Sequence, residues 1–283
     1  MTVVIAGCGD LGTETGLRFA ARGDRVLGLR RSAEKLPREI EGQSIDLSVD
    51  VPVLPADTSL VMIAMSPDER SAAGYRAAYI NTVRSIATAI QRDCAVPPRV
   101  LYVSSTAVYG VDDGGWIDEA TLAQPAAPTA VVLREAEKSL LEQLPDATIL
   151  RLGGIYGPGR TRQIDRLRNG LETMSREARL TNLIHRDDAA AAIVHLLSMQ
   201  ERPKTLYIGV DDCPADQREI VEFLARSLSV PIPPLAAKIV GAEGGRGKRC
   251  RNARLRESGF VFTYPSYREG YLAVLSGEGV RHP

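Results

Sequence analysis

The chain of 283 residues is short of several things, and each shortage excludes something. It has no charge imbalance: Lys+Arg and Asp+Glu both number 35, so the formal charge is zero and the pI is about 6.9. A balanced surface offers no electrostatic footprint for nucleic acid or an anionic membrane. Lysine stands only at positions 35, 138, 204, 238 and 248, leaving 35 − 5 = 30 arginines, a bias that fits a GC-rich genome better than a function. The four cysteines, Cys8, Cys94, Cys213 and Cys250, are scattered without C-x-x-C or Cys/His clustering, which argues against a disulfide framework and a zinc site. The apolar runs are much shorter than a membrane span, and the chain enters a strand at once, without a basic region or signal-like segment. A cytoplasmic site of action is the expectation.

What is present is an ordinary globular composition. At 44% hydrophobic content the chain can bury a large core, as one α/β unit or as a principal domain with a small lobe. The organising stretch is the first dozen residues. Thr2-Val3-Val4-Ile5-Ala6 reads as a buried strand, Gly7-Cys8-Gly9-Asp10-Leu11-Gly12 as a tight turn, and Thr13 to Gly23 as a helix. Strand, G-x-G-x-x-G and helix make the dinucleotide-binding fingerprint. The first glycine permits the turn, the second lets backbone approach a pyrophosphate, and the third lets helix and strand pack closely. The helix N-terminus, with Asp10 and Leu11 in its first turn, offers unpaired N–H groups and a positive dipole end to phosphate.

Arg25 to Leu29 reads as a second strand, and Arg30 and Arg31 follow it. An acid that would hold the ribose 2′-OH of NAD belongs at this tip, and none is there. Two guanidinium forks suit a 2′-phosphate, so NADP is favoured over NAD. Ser44-Ile45-Asp46-Leu47 reads as a third strand, with Asp46 in reach of an adenine amino group. Leu60 to Met65 is a fourth, placing Ala64, Met65 and Ser66 at the carboxyl edge where cofactors lie. A helix is expected from about Ala72 to Arg92, a fifth strand over Pro98–Val103, a surface loop from Val111 to Pro128, a helix over Thr129–Leu144 and a strand over Ala147–Leu152. This alternation predicts an α/β, Rossmann-type doubly wound parallel sheet. Residues 1–152 would form its dinucleotide-binding core. Residues 153–283 would complete the sheet, with a late strand at Thr205–Val210 and a helix to about Leu228, and build a small C-terminal substrate-binding lobe. Asp187 or Asp188 is placed to cap the helix they precede, and Gly241 to Gly247 reads as a mobile loop.

Taken in order along the chain, several segments resemble the extended short-chain dehydrogenase/reductase superfamily, in its NAD(P)-dependent epimerase/dehydratase branch. They are the glycine turn, Ser104-Ser105-Thr106-Ala107-Val108-Tyr109-Gly110, the run from Arg151 to Arg160, Asn182-Leu183-Ile184-His185-Arg186-Asp187-Asp188, and Asp211-Asp212-Cys213-Pro214. The tail from Lys248 to Leu255, with Gly259 and Tyr264-Pro265-Ser266-Tyr267, is similar to a group of atypical members. The resemblance implies that Ser104, Gly153 and Ile155 also border the cofactor, that Ser105 holds the family's catalytic Ser/Thr position, and that the chain forms a homodimer through the helices after the fourth and fifth strands.

The family's Tyr-x-x-x-Lys pair is missing. Aligning Ala136-Glu137 with the usual Ala-Glu puts Thr129 at the tyrosine position and Leu133 at the lysine position, with Arg134 beside it. Thr106 and Ala107 stand where the sugar-nucleotide 4,6-dehydratases carry Asp-Glu. Any acid/base must then come from Tyr109, Tyr156, His185 or an acid of the Asp112–Glu119 loop. The segment from Gly153 to Arg179 would form the substrate cleft, with Arg160 and Arg162 as anion clamps. Two functions follow: an atypical NADP-dependent oxidoreductase or epimerase acting on a small polar substrate, nucleotide-linked or free, or a catalytically inactive NADP(H) sensor.

Overall fold

The computed structural model describes residues 1–236 and 246–283. Seven strands make one sheet: β1 (Thr2–Ala6), β2 (Arg25–Arg30), β3 (Glu41–Ser44), β4 (Thr58–Ile63), β5 (Arg99–Ser105), β7 (Thr148–Leu152) and β11 (Leu206–Gly209). Their spatial order is β11-β7-β5-β4-β1-β2-β3, and every pair is parallel. Parallel strands need helical crossovers, and helices on both faces bury both sides of the sheet. The run TVVIA of β1 is accordingly buried at every position.

Successive side chains of a strand point to opposite faces, and β1 shows where each face leads. Val3 and Ile5 enter a cluster with Phe19 of α1 (Asp10–Ala20) and Ile193 and Leu196 of α6 (Arg186–Ser198). Val4 and Ala6 enter the opposite cluster. It holds Ile86 and Ile90 of α3 (Thr82–Asp93) and Leu140 of α4 (Pro128–Gln143). α3 is continuous with α2 (Ala72–Tyr75) through a π-wound segment, Arg76–Asn81.

A third cluster has its own elements. Tyr156 of β8 (Gly154–Tyr156), Ile164 of α5 (Arg162–Arg168), Leu224 of α7 (Gln217–Ser227) and Tyr271 of α9 (Tyr267–Leu275) pack together beyond the carboxyl edge of the sheet. Short ladders fasten this region: β8 pairs with β10 (Leu183–His185), and β9 (Leu180–Thr181) with β12 (Ala215–Asp216). No helix of the described residues is long and apolar enough to cross a membrane.

The structure departs from the sequence expectations at identifiable places. The third strand is Glu41–Ser44 and ends where Ser44–Leu47 was expected to begin. Ile45 and Leu47 alternate as in a strand, but Asp46 accepts from the Ser48 backbone N–H and hydroxyl and curls the chain into a turn. The Val111–Pro128 loop contains β6 (Trp116–Ile117), which pairs with β13 (Arg249–Cys250) far along the chain. Neither Asp187 nor Asp188 caps α6. The cap is His185, whose Nδ1 accepts the Asp187 N–H at 3.2 Å. Asp188 is fully buried and accepts the Thr263 and Tyr264 N–H groups instead, which pins the segment before α9. Of the expected mobile loop, residues 241–245 lie outside the described residues. Gly247, within them, donates to Asp112 Oδ1 at 2.8 Å.

One polar node lies in the core. Glu137 of α4 is fully buried and takes Arg151 of β7 in a two-pronged pair at 2.9 and 2.6 Å, Ser104 Oγ of β5 at 2.7 Å and Arg134 Nη1 at 3.0 Å. It ties two strands to the helix covering them, and each charge depends on the other for its stability in a dry environment. Removing one partner of such a pair costs about 3–5 kcal/mol, whereas replacing both with apolar groups is nearly neutral. Glu137→Ala is therefore expected to lower the urea-unfolding free energy by about that amount, and Glu137→Leu with Arg151→Met to recover most of it. Equal losses in both variants would contradict this account of the node.

Candidate functional site

The turn after β1 is built by close approach. Gly7 has φ +84, and a Cβ there would run into the Ala64 carbonyl oxygen and the Met65 sulfur at the end of β4. The Gly7 and Cys8 N–H groups donate to Leu29 O of β2 at 3.0 and 3.1 Å, so the turn is locked between two strands. Cys8 is buried, and that burial pushes its thiol up to about 11, leaving it a small apolar group at neutral pH. A Cβ on Gly12 would press on the Gly7 carbonyl, which brings the first turn of α1 down onto the loop. Gly9 is different: a Cβ there would meet nothing within 4 Å. It is the N-cap of α1 and supplies no side-chain cap, so no side chain satisfies the first N–H groups of the helix.

Beside Gly9 lies a cleft of about 450 Å³ across the carboxyl ends of β1, β2 and β4. Of the residues expected to border a cofactor, its lining includes Gly7, Gly9, Arg30, Arg31, Asp46, Ala64, Met65 and Ser66. Gly74, Ala77 and Ala78, from α2 and the π-wound segment, add small side chains that leave it room. Four of its charged groups, Arg30, Arg31, Asp46 and Asp68, are already engaged. Arg31 makes a two-pronged pair with Asp68 at 2.6 and 2.7 Å, and both side chains are exposed. Arg30 Nη1 donates to Cys8 O at 3.1 Å and to Pro283 O at 2.7 Å. Hydrogen bonds from Ser48 lower the Asp46 pKa.

The remaining expected cofactor residues lie outside this lining. Leu11 and Gly12 are buried in the helix–sheet contact. The Asp10 carboxylate points toward α6, where it accepts from Arg186 Nη1 at 2.8 Å and Arg160 Nε at 3.1 Å. Arg160, expected as an anion clamp, is thus held to α1. Ser104 is buried and spends its hydroxyl on Glu137. Gly153 and Ile155 stand where β7 passes into β8, against the Asn182 carbonyl. Arg162 lines a second cleft of about 430 Å³ with Arg160, Arg166 and Arg281.

The four candidate catalytic residues are placed unequally. Ser105 ends β5 half-exposed at the carboxyl edge, its Oγ accepting the Ala107 N–H at 3.1 Å, which leaves its own O–H free to donate. Tyr109 is buried beneath the Arg151 guanidinium at 4.7 Å, its hydroxyl has no partner among the described residues, and burial raises its pKa. Tyr156 is core, its hydroxyl donating to Ser266 O at 3.3 Å, and burial drives its pKa far up. His185 is spent on the helix cap, which assigns its proton to Nε2, and burial lowers its pKa. In the Asp112–Glu119 loop, Asp118 caps a turn at Thr121. Glu119 accepts the Ile208 N–H, and burial raises its pKa. Leu133, at the position of the family lysine, is buried among Val108, Tyr109 and Cys250.

Three groups escaped the sequence reading. Arg186 is 1% exposed and gathers Asp10, Asp187 and Val280 O, a role that its place in an Arg-rich sequence does not advertise. Lys248 is half-buried and donates to Tyr109 O at 3.0 Å. Desolvation lowers its pKa, and its backbone oxygen is held by Asn182. Only the return of β13 to β6 brings it there. Asp211, just after β11, is 1% exposed with one carboxyl oxygen unpartnered among the described residues, and burial raises its pKa to about 8.

The comparisons agree with this geometry. Residues 4–209 match the NAD dependent epimerase/dehydratase family. A Methylobacillus flagellatus protein assigned to the NAD-dependent epimerase/dehydratases is 33% identical, with 98% of each chain covered and a TM-score of 0.78. The fold recurs in UDP-glucuronic acid 4-epimerase from Bacillus cereus, solved with NAD (15% identity, 95% and 96% covered, TM-score 0.81). It recurs also in human epimerase family protein SDR39U1, solved with NADPH (19%, 95% and 97%, TM-score 0.78). No curated protein matches the chain.

Asp211 gives a prediction with a defined sign. Its carboxyl is protonated in the folded chain up to about pH 8 and in the unfolded chain only below about 3.8. Between those values the folded state binds the extra proton, so stability falls as pH rises, by up to about 1.4 kcal/mol per unit. Asp211→Asn keeps the acceptor for the Cys213 N–H and removes the proton. Its advantage in melting temperature over the parent is expected to grow from pH 5 to pH 8, and parallel curves would refute the assignment.

Proposed function

From the premise that the chain belongs to the NAD dependent epimerase/dehydratase family, we propose that it binds NADP(H) in the cleft at the α1 N-terminus and acts as an atypical reductase or epimerase on a small polar substrate. The observation that carries the reading is Gly9. Its Cα faces open space beside an uncapped helix end, in a cleft that two guanidinium groups border. An uncapped N-terminus carries about half a positive charge and unpaired donors, which suits a pyrophosphate. The N–H groups of Asp10 and Leu11 would hold it, the Gly9 N–H being spent on Gly7 O, and Arg30 and Arg31 would hold a 2′-phosphate. Solved relatives carry NAD in several cases and NADPH in the human protein. The absence of an acid at the tip of β2 favours the latter here.

When bound, the nicotinamide supplies hydride transfer. Ser105 donates its free O–H to a substrate oxygen at the end of β5. Lys248 brings an ammonium to the loop that follows Ser105, in a region where helix α4 offers only Leu133. In the second cleft Arg162, beside Arg160 and Arg166 that are paired with Asp10 and Glu172, would meet an anionic group on the substrate. A second reading, a cofactor-binding sensor without turnover, is favoured by the apolar burial of Leu133, because no phenol and ammonium pair then stands on α4.

Fluorescence titration of NADPH and NADH tests the reading. NADPH is expected to bind more tightly, and Arg31→Ala to weaken NADPH by about tenfold or more while changing NADH little. Tighter binding of NADH would overturn the role given to both arginines. Consumption of NADPH across a carbonyl panel that falls in Ser105→Ala supports the enzyme. Tight binding with no turnover in either protein supports the sensor.

A further inference from the structure

A segment that follows α9 reaches the phosphate end of the cleft from outside it. The chain turns at Gly277 and Gly279, with φ +83 and +80, and residues 280–283 then run along α1. Val280 O accepts Arg186 Nη2 at 2.8 Å, and Arg281 Nη1 donates to Gly159 O at 3.1 Å. His282 donates its backbone N–H to Asp10 Oδ1 at 3.2 Å, and its Nε2 lies 2.8 Å from Glu14 Oε2. Pro283 O accepts Arg30 Nη1 at 2.7 Å. The segment therefore spans from the N-terminus of α6, past the first turn of α1, to the tip of β2.

The partners divide cleanly. Arg186, Gly159, Asp10 and Glu14 are outside the cleft lining, and Arg30 is part of it. The segment is anchored elsewhere and touches the cleft through its last contact. Both protons of Arg30 Nη1 are spent while it lies down, one on Cys8 O and one on Pro283 O. A 2′-phosphate draws on the same guanidinium.

We propose that residues 280–283 are a displaceable strap that competes with the 2′-phosphate of the dinucleotide for Arg30. The proposal rests on the reading that the cleft takes NADP(H). When the competent state of a site is only partly populated, apparent affinity falls by that fraction, so the strap sets the cofactor concentration at which the protein fills. Because its most direct competition is for Arg30, it weighs more on NADPH than on NADH.

The test compares the full chain with a variant ending at Gly279, by titration with NADPH and NADH. The shortened chain is expected to bind NADPH about five- to tenfold more tightly, with a smaller gain for NADH. Glu14→Gln, which loosens the His282 anchor without shortening the chain, is expected to move NADPH affinity the same way by less. Hydrogen exchange supplies a readout independent of truncation: peptides covering residues 280–283 should lose protection when NADPH is added to the full chain. Unchanged or weaker NADPH binding by the shortened chain, or a gain of protection in the strap on adding NADPH, would overturn the proposal and leave the cofactor reading standing. Failure of both proteins to bind either dinucleotide would overturn that reading, and the strap with it.

Discussion

The first turn of α1 has no side-chain cap, and much of the surrounding structure keeps that end open. Gly7 turns the chain so tightly that the end of β4 touches it, and Gly12 lets the helix settle onto the loop. Both contacts fix the direction in which the helix points. Gly9, between them, fills nothing. A helix end left bare in this way is unfavourable unless water or a ligand meets it, and the parallel sheet places it at the carboxyl edge, where a crevice forms between strand ends. The same constraint explains the small side chains of Gly74, Ala77 and Ala78 on the far wall.

Two buried arginines hold the frame around that opening. Arg151 and Glu137 tie β7 and β5 to α4, and Arg186 ties α6 to Asp10 on α1. Neither contact recognises a ligand. Their effect is positional, since they fix the edges of the sheet against the helices between which a ligand would sit. Asp10 shows the consequence for electrostatics: its carboxylate, one residue from the bare N-terminus, is turned away and neutralised by Arg186 and Arg160. The helix end then presents N–H groups and leaves that negative charge on its other side.

Much of the fold was legible in the sequence because local signals and tertiary context agree there. The apolar run Thr2–Ala6, the glycine spacing and the paired arginines after β2 lead directly to the sheet and the cleft. Where they disagree, context prevails. Ile45 and Leu47 alternate like a strand, yet the Asp46 side chain folds them into a turn. His185 had the residue type of a proton carrier but serves as a helix cap, and Tyr109 and Tyr156 are buried. Lys248 and the 280–283 segment were illegible for a different reason. Their positions depend on contacts across more than a hundred residues, with Tyr109 in one case and with Asp10, Glu14 and Arg30 in the other, and no local period reports such pairings.

The dinucleotide cleft is assembled from residues that sequence and structure bring together, while α4, where the resemblance leads one to expect a Tyr-x-x-x-Lys pair, presents Leu133 to an apolar cluster. The central claim, that the bare end of α1 receives the cofactor phosphates, is tested most directly at Gly9. Its backbone, at φ −87, accepts a side chain, and no described residue stands within 4 Å of it. Gly9→Val should therefore fold with nearly the parent's melting temperature yet bind NADPH at least about a hundredfold more weakly, because its methyl groups occupy the phosphate position. NADPH binding by Gly9→Val equal to that of the parent would contradict the account.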